Sequence, residues 1–404
     1  MPDPGPIAWG PVSDLRTVLV RVHGPDEPGI SADLFATLDA MGAIVLDIEQ
    51  VVVRRRLSLD VLIEVPPGDD ALKDLLLFGF KRDLTVDLEE VDEEPTEYHR
   101  PHVVTIVGPE LRPAEIKAAT DAIADGNGNI DRIVRLSRYP VMSYEFSISR
   151  GNPDQIRANL VAAAATHPGM DVAIQRQGLS RRAKRLVVLD VDSTIIQDEV
   201  IDVLAREAGV EPQVAALTQS AMEGHIDFTE SLHKRVALLE GLDELAVERA
   251  WRQLRPTPGA RTFCRTLDRL GYTTATVSGG FTVFTERLRK DLGIRYGLAN
   301  ELEIIDGRLT GGLIGPIVDR AAKAQFLRDV AEMEGIPVEQ TVAVGDGAND
   351  LDMLAAAGLG IAFNAKPAVR EAADTALRVP YLDAVLFLLG LSREEIEAAD
   401  LDPA

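Results

Sequence analysis

The stretch Arg185-Leu-Val-Val-Leu-Asp190-Val-Asp192-Ser-Thr194 decides how the rest of the chain is read. Four apolar residues fit a short, fully buried strand, and two carboxylates follow with one valine between them. Like charges this close repel and raise each other's pKa unless a cation shares their space. Two later apolar runs, Thr273–Val277 and Thr341–Val344, end in comparable clusters, Ser278-Gly279-Gly280 and Gly345-Asp346-Gly347-Ala348-Asn349-Asp350. Apolar runs alternating with helical patterns predict an α/β fold with a parallel sheet covered by helices. Ligands of such sheets bind beyond the carboxyl ends of the strands, so the three clusters are expected to face one crevice. Strand alternation further predicts that Asp190 and Asp192 point the same way.

Oxygen ligands in small number suit Mg²⁺, which keeps waters and shares a substrate phosphate, and Asp190 and Asp346 would supply them with Asp350 in support. In this order the clusters resemble the motifs of the haloacid dehalogenase-like hydrolases. The first motif stands as Asp190-Val191-Asp192-Ser193-Thr194 and the second as Ala275-Thr-Val-Ser278-Gly279-Gly280. A lone lysine is identified as Lys323, in Asp319-Arg-Ala-Ala-Lys-Ala-Gln, and the fourth motif is Gly345–Asp350. From Leu186 to about Leu389 the chain is most similar to the members that hydrolyse O-phospho-L-serine. An insert from about Ile195 to Pro258 looks like their helical cap, through Asp198-Glu199-Val-Ile-Asp-Val-Leu-Ala and Ala221-Met-Glu-Gly-His-Ile-Asp-Phe228-Thr-Glu-Ser-Leu-His-Lys-Arg235-Val.

The resemblance implies a Rossmann-like core, with Asp190 as a nucleophile that becomes an aspartyl-phosphate and Asp192 as general acid and base. It implies Mg²⁺ held by Asp190, the Asp192 backbone carbonyl and Asp346. Lys323, the Ser278 hydroxyl and the Gly279 N–H would face the phosphoryl group. Glu199 would hold the substrate ammonium, Arg235 its carboxylate, and Phe228 would shield it. An arginine fork suits a planar carboxylate. Whether Asn349 and Asp350 hold the lysine, the substrate or metal-bound water stays open at this stage.

Before Arg185 the pattern changes. Leu19-Val-Arg-Val-His-Gly24-Pro25 matches Val103-Val-Thr-Ile-Val-Gly108-Pro109, each a β-branched strand meeting a Gly-Pro turn. Ile30, Leu34, Leu38 and Met41, then Ile116, Ala119 and Ile123, recur at helical spacing. Two strands, a helix and a short strand complete each copy, giving βαββαβ twice. Gly24-Pro-Asp26-Glu-Pro-Gly29-Ile30 resembles the strand-to-helix turn of ACT domains, ferredoxin-like modules that bind amino acids at paired interfaces. The resemblance implies an amino-acid effector, serine foremost, near Gly24, Asp26 and Gly29, with Gly108 as the counterpart in the second copy. That copy departs from the pattern, with Pro113 where Gly29 would fall. The expected organisation is a tail at 1–15, ACT domains at 16–96 and 97–180, and a phosphatase domain at 181–404 with its cap at about 195–258. Charged, proline-bearing Asp92–Pro101 and the basic run Gln177–Arg185 read as joints, the second as a solvated linker.

Composition narrows the partners. The 404 residues carry a formal net charge of −23, so a nucleic acid would be repelled by the average surface. The single cysteine, Cys264, excludes an intrachain disulfide and reads as a small core residue. No apolar run approaches the roughly 20 residues of a spanning helix. Met1-Pro-Asp-Pro-Gly-Pro lacks a signal-like pattern, so a cytoplasmic location and no membrane partner are expected. Paired ACT modules suggest a homodimer.

Overall fold

The computed structural model describes residues 15–66, 70–91, 102–178, 181, 183–223 and 225–401. The expected tail, apart from Leu15, and the joint at 92–101 fall outside them. The chain divides into two compact units, Met1–Glu97 and Tyr98–Ala404.

The first unit runs β1 (Arg16–Pro25), α1 (Ile30–Ala40), β2 (Ile44–Val53), β3 (Arg56–Val65), α2 (Asp70–Arg82) and β4 (Thr85–Glu90). Its antiparallel sheet has the order β2-β3-β1-β4. Every second residue of β1 and β3 is buried, as a sheet with one covered face requires. Val18, Val20, Val22, Leu59, Val61 and Ile63 meet Ile30, Leu34 and Leu38 of α1 and Leu75 and Phe78 of α2. The edge strand β2 is exposed at all ten positions.

The second unit opens with the same element order: β5 (His102–Gly108), α3 (Pro113–Ala124), β6 (Asn129–Ser137), β7 (Met142–Ser149), α4 (Pro153–Thr166) and β8 (Asp171–Arg176), in sheet order β6-β7-β5-β8. Here the inner strand is covered on both faces. Val104 and Ile106 pack under α3 and α4, while Val107, Leu136, Val141 and Ala173 join the core of the domain that follows.

That domain begins with β9 (Leu186–Leu189). Four helices follow as an insert: α5 (Val200–Ala208), α6 (Glu211–Met222), α7 (Phe228–Ala237) and α8 (Glu244–Gln253). Next come α9 (Ala260–Arg269), β10 (Thr273–Phe281), α10 (Thr282–Leu292), β11 (Tyr296–Ile305), β12 (Arg308–Ile314) and α11 (Arg320–Met333). The chain ends with β13 (Thr341–Gly345), α12 (Leu351–Ala356), β14 (Gly360–Phe363), α13 (Pro367–Ala372), β15 (Thr375–Leu377), α14 (Val385–Leu388) and α15 (Arg393–Leu401). The sheet order is β12-β11-β10-β9-β13-β14-β15, parallel except for the edge strand β12. The α/β class expected from the sequence is the class observed.

All four residues of β9 are fully buried, because helices cover both faces of this sheet. Leu189 lies opposite Thr276 on one side and Val344 on the other. The chain therefore leaves β9, β10 and β13 at one level, where strand order reverses about β9. Ile196 and Pro256 form a bridge where the helical insert leaves and rejoins the core. Cys264 is buried in α9, where burial pushes its thiol up to about 12, out of reactive range.

The solvated linker expected at Gln177–Arg185 is not what forms. Arg181 is buried and pairs with Glu145 at 2.5 Å, and Lys184 is buried and donates to the Glu339 carbonyl. The seam beside it is polar and dense. Arg378 donates to Asp171 from its backbone at 2.6 Å and from Nε at 2.5 Å, Gln175 to the Leu388 carbonyl at 2.8 Å, and Thr375 to the Val172 carbonyl at 2.9 Å. A basic run reads as solvated only while nothing shows that its neighbouring sheet has a second buried face.

Candidate active site

Beyond Leu189 the backbone leaves the strand in a wide turn over Val191–Ile195, started by Asp190 in extended conformation. The Asp190 N–H donates to the Val344 carbonyl at 2.9 Å, which ties the turn to β13. Asp190 and Asp192 take different hydrogen-bond partners. Asp190 Oδ1 accepts from Lys323 Nζ at 2.7 Å. Asp192 instead accepts from the Val200 N–H at 2.9 Å and from Ser278 Oγ at 3.0 Å.

Lys323 stands in the first turns of α11 with a side chain only 1% exposed. Its ammonium also donates to Asp350 Oδ1 at 2.7 Å, and Asp350 Oδ2 accepts from the Gly347 N–H at 2.9 Å. Burial works against the lysine's charge, but the Asp190 and Asp350 carboxylates outweigh it and raise its pKa. The question left open by the sequence is thus answered for Asp350, which holds the lysine. Asn349 precedes it in the short 3-10 turn Ala348–Asp350 and has no side-chain hydrogen bond among the described residues.

The cluster is richer in carboxylates than in cations. Oxygens of Asp190, Asp346 and Asp350 all lie within 4.8 Å of one another. Burial, with Asp350 next in effect, raises the Asp190 pKa well above the usual range. Burial and then Asp350 and Glu199 push Asp346 up to about 7. Burial and then Glu199 push Asp192 up to about 7. Among the described residues the Asp346 carboxyl has one hydrogen bond, from Thr194 Oγ1 at 3.5 Å. An all-oxygen donor set with one buried lysine among four acidic groups is one a hard divalent cation fits.

Ser278 is fully buried, donates to Asp192 and accepts from the Gly280 N–H at 2.8 Å. A Cβ on Gly280 would lie 2.6 Å from Asp192 Oδ2, so the second glycine gives the acid its room. Asn300, buried in β11, braces the loop by donating to the Gly279 carbonyl at 2.8 Å and accepting from Val318 N–H at 2.8 Å. Sequence reasoning missed Asn300; an asparagine in a strand otherwise carrying Leu298 and Leu302 was its only signal.

The insert supplies the remaining wall. Phe228 opens α7, and its ring lies 3.3 Å from where a Gly279 Cβ would stand, so insert and core touch over the loop. Glu199 precedes α5 and accepts from Ser193 Oγ at 2.8 Å, a second contact the sequence did not reveal. Glu199 is exposed as a whole residue. Loss of water around its carboxyl raises its pKa, and the Ser193 hydrogen bond works the other way. Arg235 is half-buried and donates weakly to the Ser231 carbonyl at 3.4 Å and Thr218 Oγ1 at 3.5 Å. Burial lowers its pKa against Asp202 and Glu199, and no carboxylate pairs with it directly among the described residues.

The ACT-like turns are placed separately. Gly24 is the last residue but one of β1, the Asp26 N–H donates to the Arg55 carbonyl at 2.9 Å, and Gly29 takes φ 94° before α1, a conformation that favours glycine. Gly108 ends β5 in the second unit. The Arg112 N–H donates to Glu115 at 3.0 Å, and Pro113 has no N–H to offer.

Comparison with known proteins identifies the domains that carry these residues. Residues 187–355 match the haloacid dehalogenase-like hydrolases, and residues 16–89 and 100–175 each match the ACT domain. A haloacid dehalogenase family hydrolase from Salmonella enterica superposes with a TM-score of 0.63 at 30% identity, covering 71% of this chain and 98% of that one. A phosphoserine phosphatase of Streptomyces coelicolor is 51% identical over 393 residues, 96% of this chain and 95% of the relative. One from Mycobacterium tuberculosis is 48% identical over 394 residues, 95% of each. The chain belongs to the phosphoserine phosphatase family of the haloacid dehalogenase-like hydrolases. Among the described residues, no helix is long and apolar enough to cross a membrane.

Proposed function

We propose that the chain hydrolyses O-phospho-L-serine to L-serine and phosphate, the last step of L-serine formation, through a phosphorylated Asp190. The observation that carries this reading is the pairing of two recognition ends. Asp190, Lys323 and Ser278 come together at the strand ends, while Glu199 and Arg235 offer opposite charges on the insert for an amino acid's ammonium and carboxylate.

Asp190 attacks phosphorus, the bond to the serine oxygen breaks, and a mixed anhydride forms on the Asp190 carboxylate. Asp192, whose pKa near 7 lets it carry a proton, delivers that proton to the departing alkoxide. It then takes a proton from the water that attacks the phosphorylated aspartate, releasing phosphate and restoring Asp190. Lys323 keeps Asp190 aimed and faces the phosphoryl oxygens, with Asp350 fixing the lysine. The same reading assigns the Gly279 N–H to those oxygens, with the Ser278 hydroxyl turning to them from Asp192, and gives Asn349, without a side-chain hydrogen bond among the described residues, to the substrate. Phe228 closes the cleft over Gly279 and excludes water. The carboxylate set fits Mg²⁺, held by Asp190, Asp346 and the Asp192 carbonyl with Asp350 behind; when bound it would neutralise the crowded charge and orient a phosphoryl oxygen.

The ACT domains are taken as amino-acid sensors, with serine as effector near Gly24, Asp26 and Gly29, and Gly108 the weaker counterpart. A cytoplasmic homodimer belongs to the same proposal. The exposed edge strand β2, with Ile44, Leu46, Ile48 and Val51 at its surface, supports pairing with a second copy.

Phosphate release across a panel of phosphorylated amino acids, with and without Mg²⁺, tests the reading. Phosphoserine should be preferred and the metal required. Asp190→Asn should lower turnover at least about 10³-fold with the fold intact. Arg235→Ala should cost about 10²-fold in kcat/KM for phosphoserine and far less for an ester without an amino acid. A preference for other phosphomonoesters would move the chain to a different substrate within its family.

A further inference from the structure

We propose that Ser193 is a specificity-determining positioning residue: its hydroxyl holds the Glu199 carboxylate in the orientation that receives the substrate ammonium. This rests on the phosphoserine reading above and deepens it.

The backbone supplies the first argument. Ser193 takes φ 58° and ψ 3°, a left-handed conformation unfavourable for any residue with a Cβ. Glycine would adopt it without strain, so a serine here keeps something glycine lacks. That group is the hydroxyl, which donates to Glu199 Oε1 at 2.8 Å.

The behaviour of Glu199 supplies the second. It occupies the N-cap of α5, where an acidic side chain ordinarily accepts from helix N–H groups, yet it makes no such bond. Asp192 has taken that place, accepting from the Val200 N–H at 2.9 Å. Glu199 is thereby released from its own helix and turned back to the residue next to Asp192. The two bonds lie side by side in sequence: Asp192 accepts from Val200, and Ser193 donates to Glu199. Around them, the Ser193 N–H reaches the Asp198 carbonyl at 3.4 Å, and Asp198 is itself held by Arg255 at 2.7 Å.

The remaining argument is chemical. An exposed glutamate samples many rotamers, and fixing one beforehand spares that loss when a ligand binds. Ser193 engages Oε1 and leaves Oε2 without a hydrogen bond among the described residues. A carboxylate held by one oxygen, with the other free, suits an ammonium donor. A substrate without the amine draws nothing from this arrangement, so Ser193 acts on discrimination.

The test compares O-phospho-L-serine with 3-phosphooxypropanoate, which keeps the phosphate and carboxylate and lacks only the amine. In Ser193→Ala and Ser193→Gly, the ratio of kcat/KM for the first ester to that for the second should fall about tenfold, mainly through KM for phosphoserine. Glycine fits the backbone better than serine, so a loss shared by both variants follows the hydroxyl and not the fold. An unchanged ratio in Ser193→Gly would overturn the proposal. A wild-type enzyme with no preference for the aminated ester would overturn the Glu199 assignment itself, a failure visible before any variant is made.

Discussion

Asp346, pushed up to about 7 by burial and then by Asp350 and Glu199, shows what a bound cation would have to do. A carboxyl with a raised pKa still carries part of a proton at neutral pH, and a cation that needs the anion displaces it. Metal affinity should therefore climb as pH rises through 7 and level off above it. Calorimetric Mg²⁺ titrations in buffers of different ionisation enthalpy should show proton release near about pH 6.5 and almost none near about pH 8.5. Binding without proton release at the lower pH would remove Asp346 and its neighbours from the metal site. At this scale the sequence singled out acids that the fold brings close together, but not their partners. Adjacent carboxylates in Asp-x-Asp carry no sign of which one a lysine from another helix will reach.

Between elements, the seam of β8, β15 and α14 is the feature that local pattern concealed. Both Asp171 oxygens accept from Arg378, and burial, the largest influence on this carboxyl, raises its pKa despite that pairing. Removing the guanidinium would leave a buried carboxylate with part of its hydrogen bonding lost. Arg378→Met should cost about 2–3 kcal/mol of stability. Urea unfolding followed by circular dichroism measures it, and an unchanged midpoint would mean the seam is not held by this pair. Neither Asp171 nor Arg378 stands out in sequence, because an acid beginning a strand and an arginine after one are ordinary surface residues until the two strands are neighbours.

For the molecule as a whole, two ACT repeats alike in sequence have different structural standing. The first has a core of its own in a unit of its own. The second shares a core with the phosphatase sheet through Val107, Leu136, Val141 and Ala173. A chain beginning at Tyr98 should keep phosphoserine hydrolysis within about threefold, since every hydrogen bond of the site lies within the second unit. It should lose any serine response that depends on Gly24, Asp26 and Gly29. Phosphate release with and without serine decides this, and a full serine response in the shortened chain would relocate the effector site.

Periodicity and turn chemistry are local, and they were enough for the sequence to determine two βαββαβ repeats, a buried parallel sheet and three polar clusters at its strand ends. Lys323 and the Glu199–Arg235 pair were singled out by likeness to a family, which periodicity and turn chemistry do not supply. The tertiary structure alone decided which oxygen each donor serves: Lys323 on Asp190 and Asp350, Ser278 and Val200 on Asp192, Ser193 on Glu199. It alone decided that the second repeat is welded to the phosphatase domain. These outcomes depend on which surfaces meet after residues far apart in the chain are brought within about 3 Å, the range where hydrogen bonding and desolvation act.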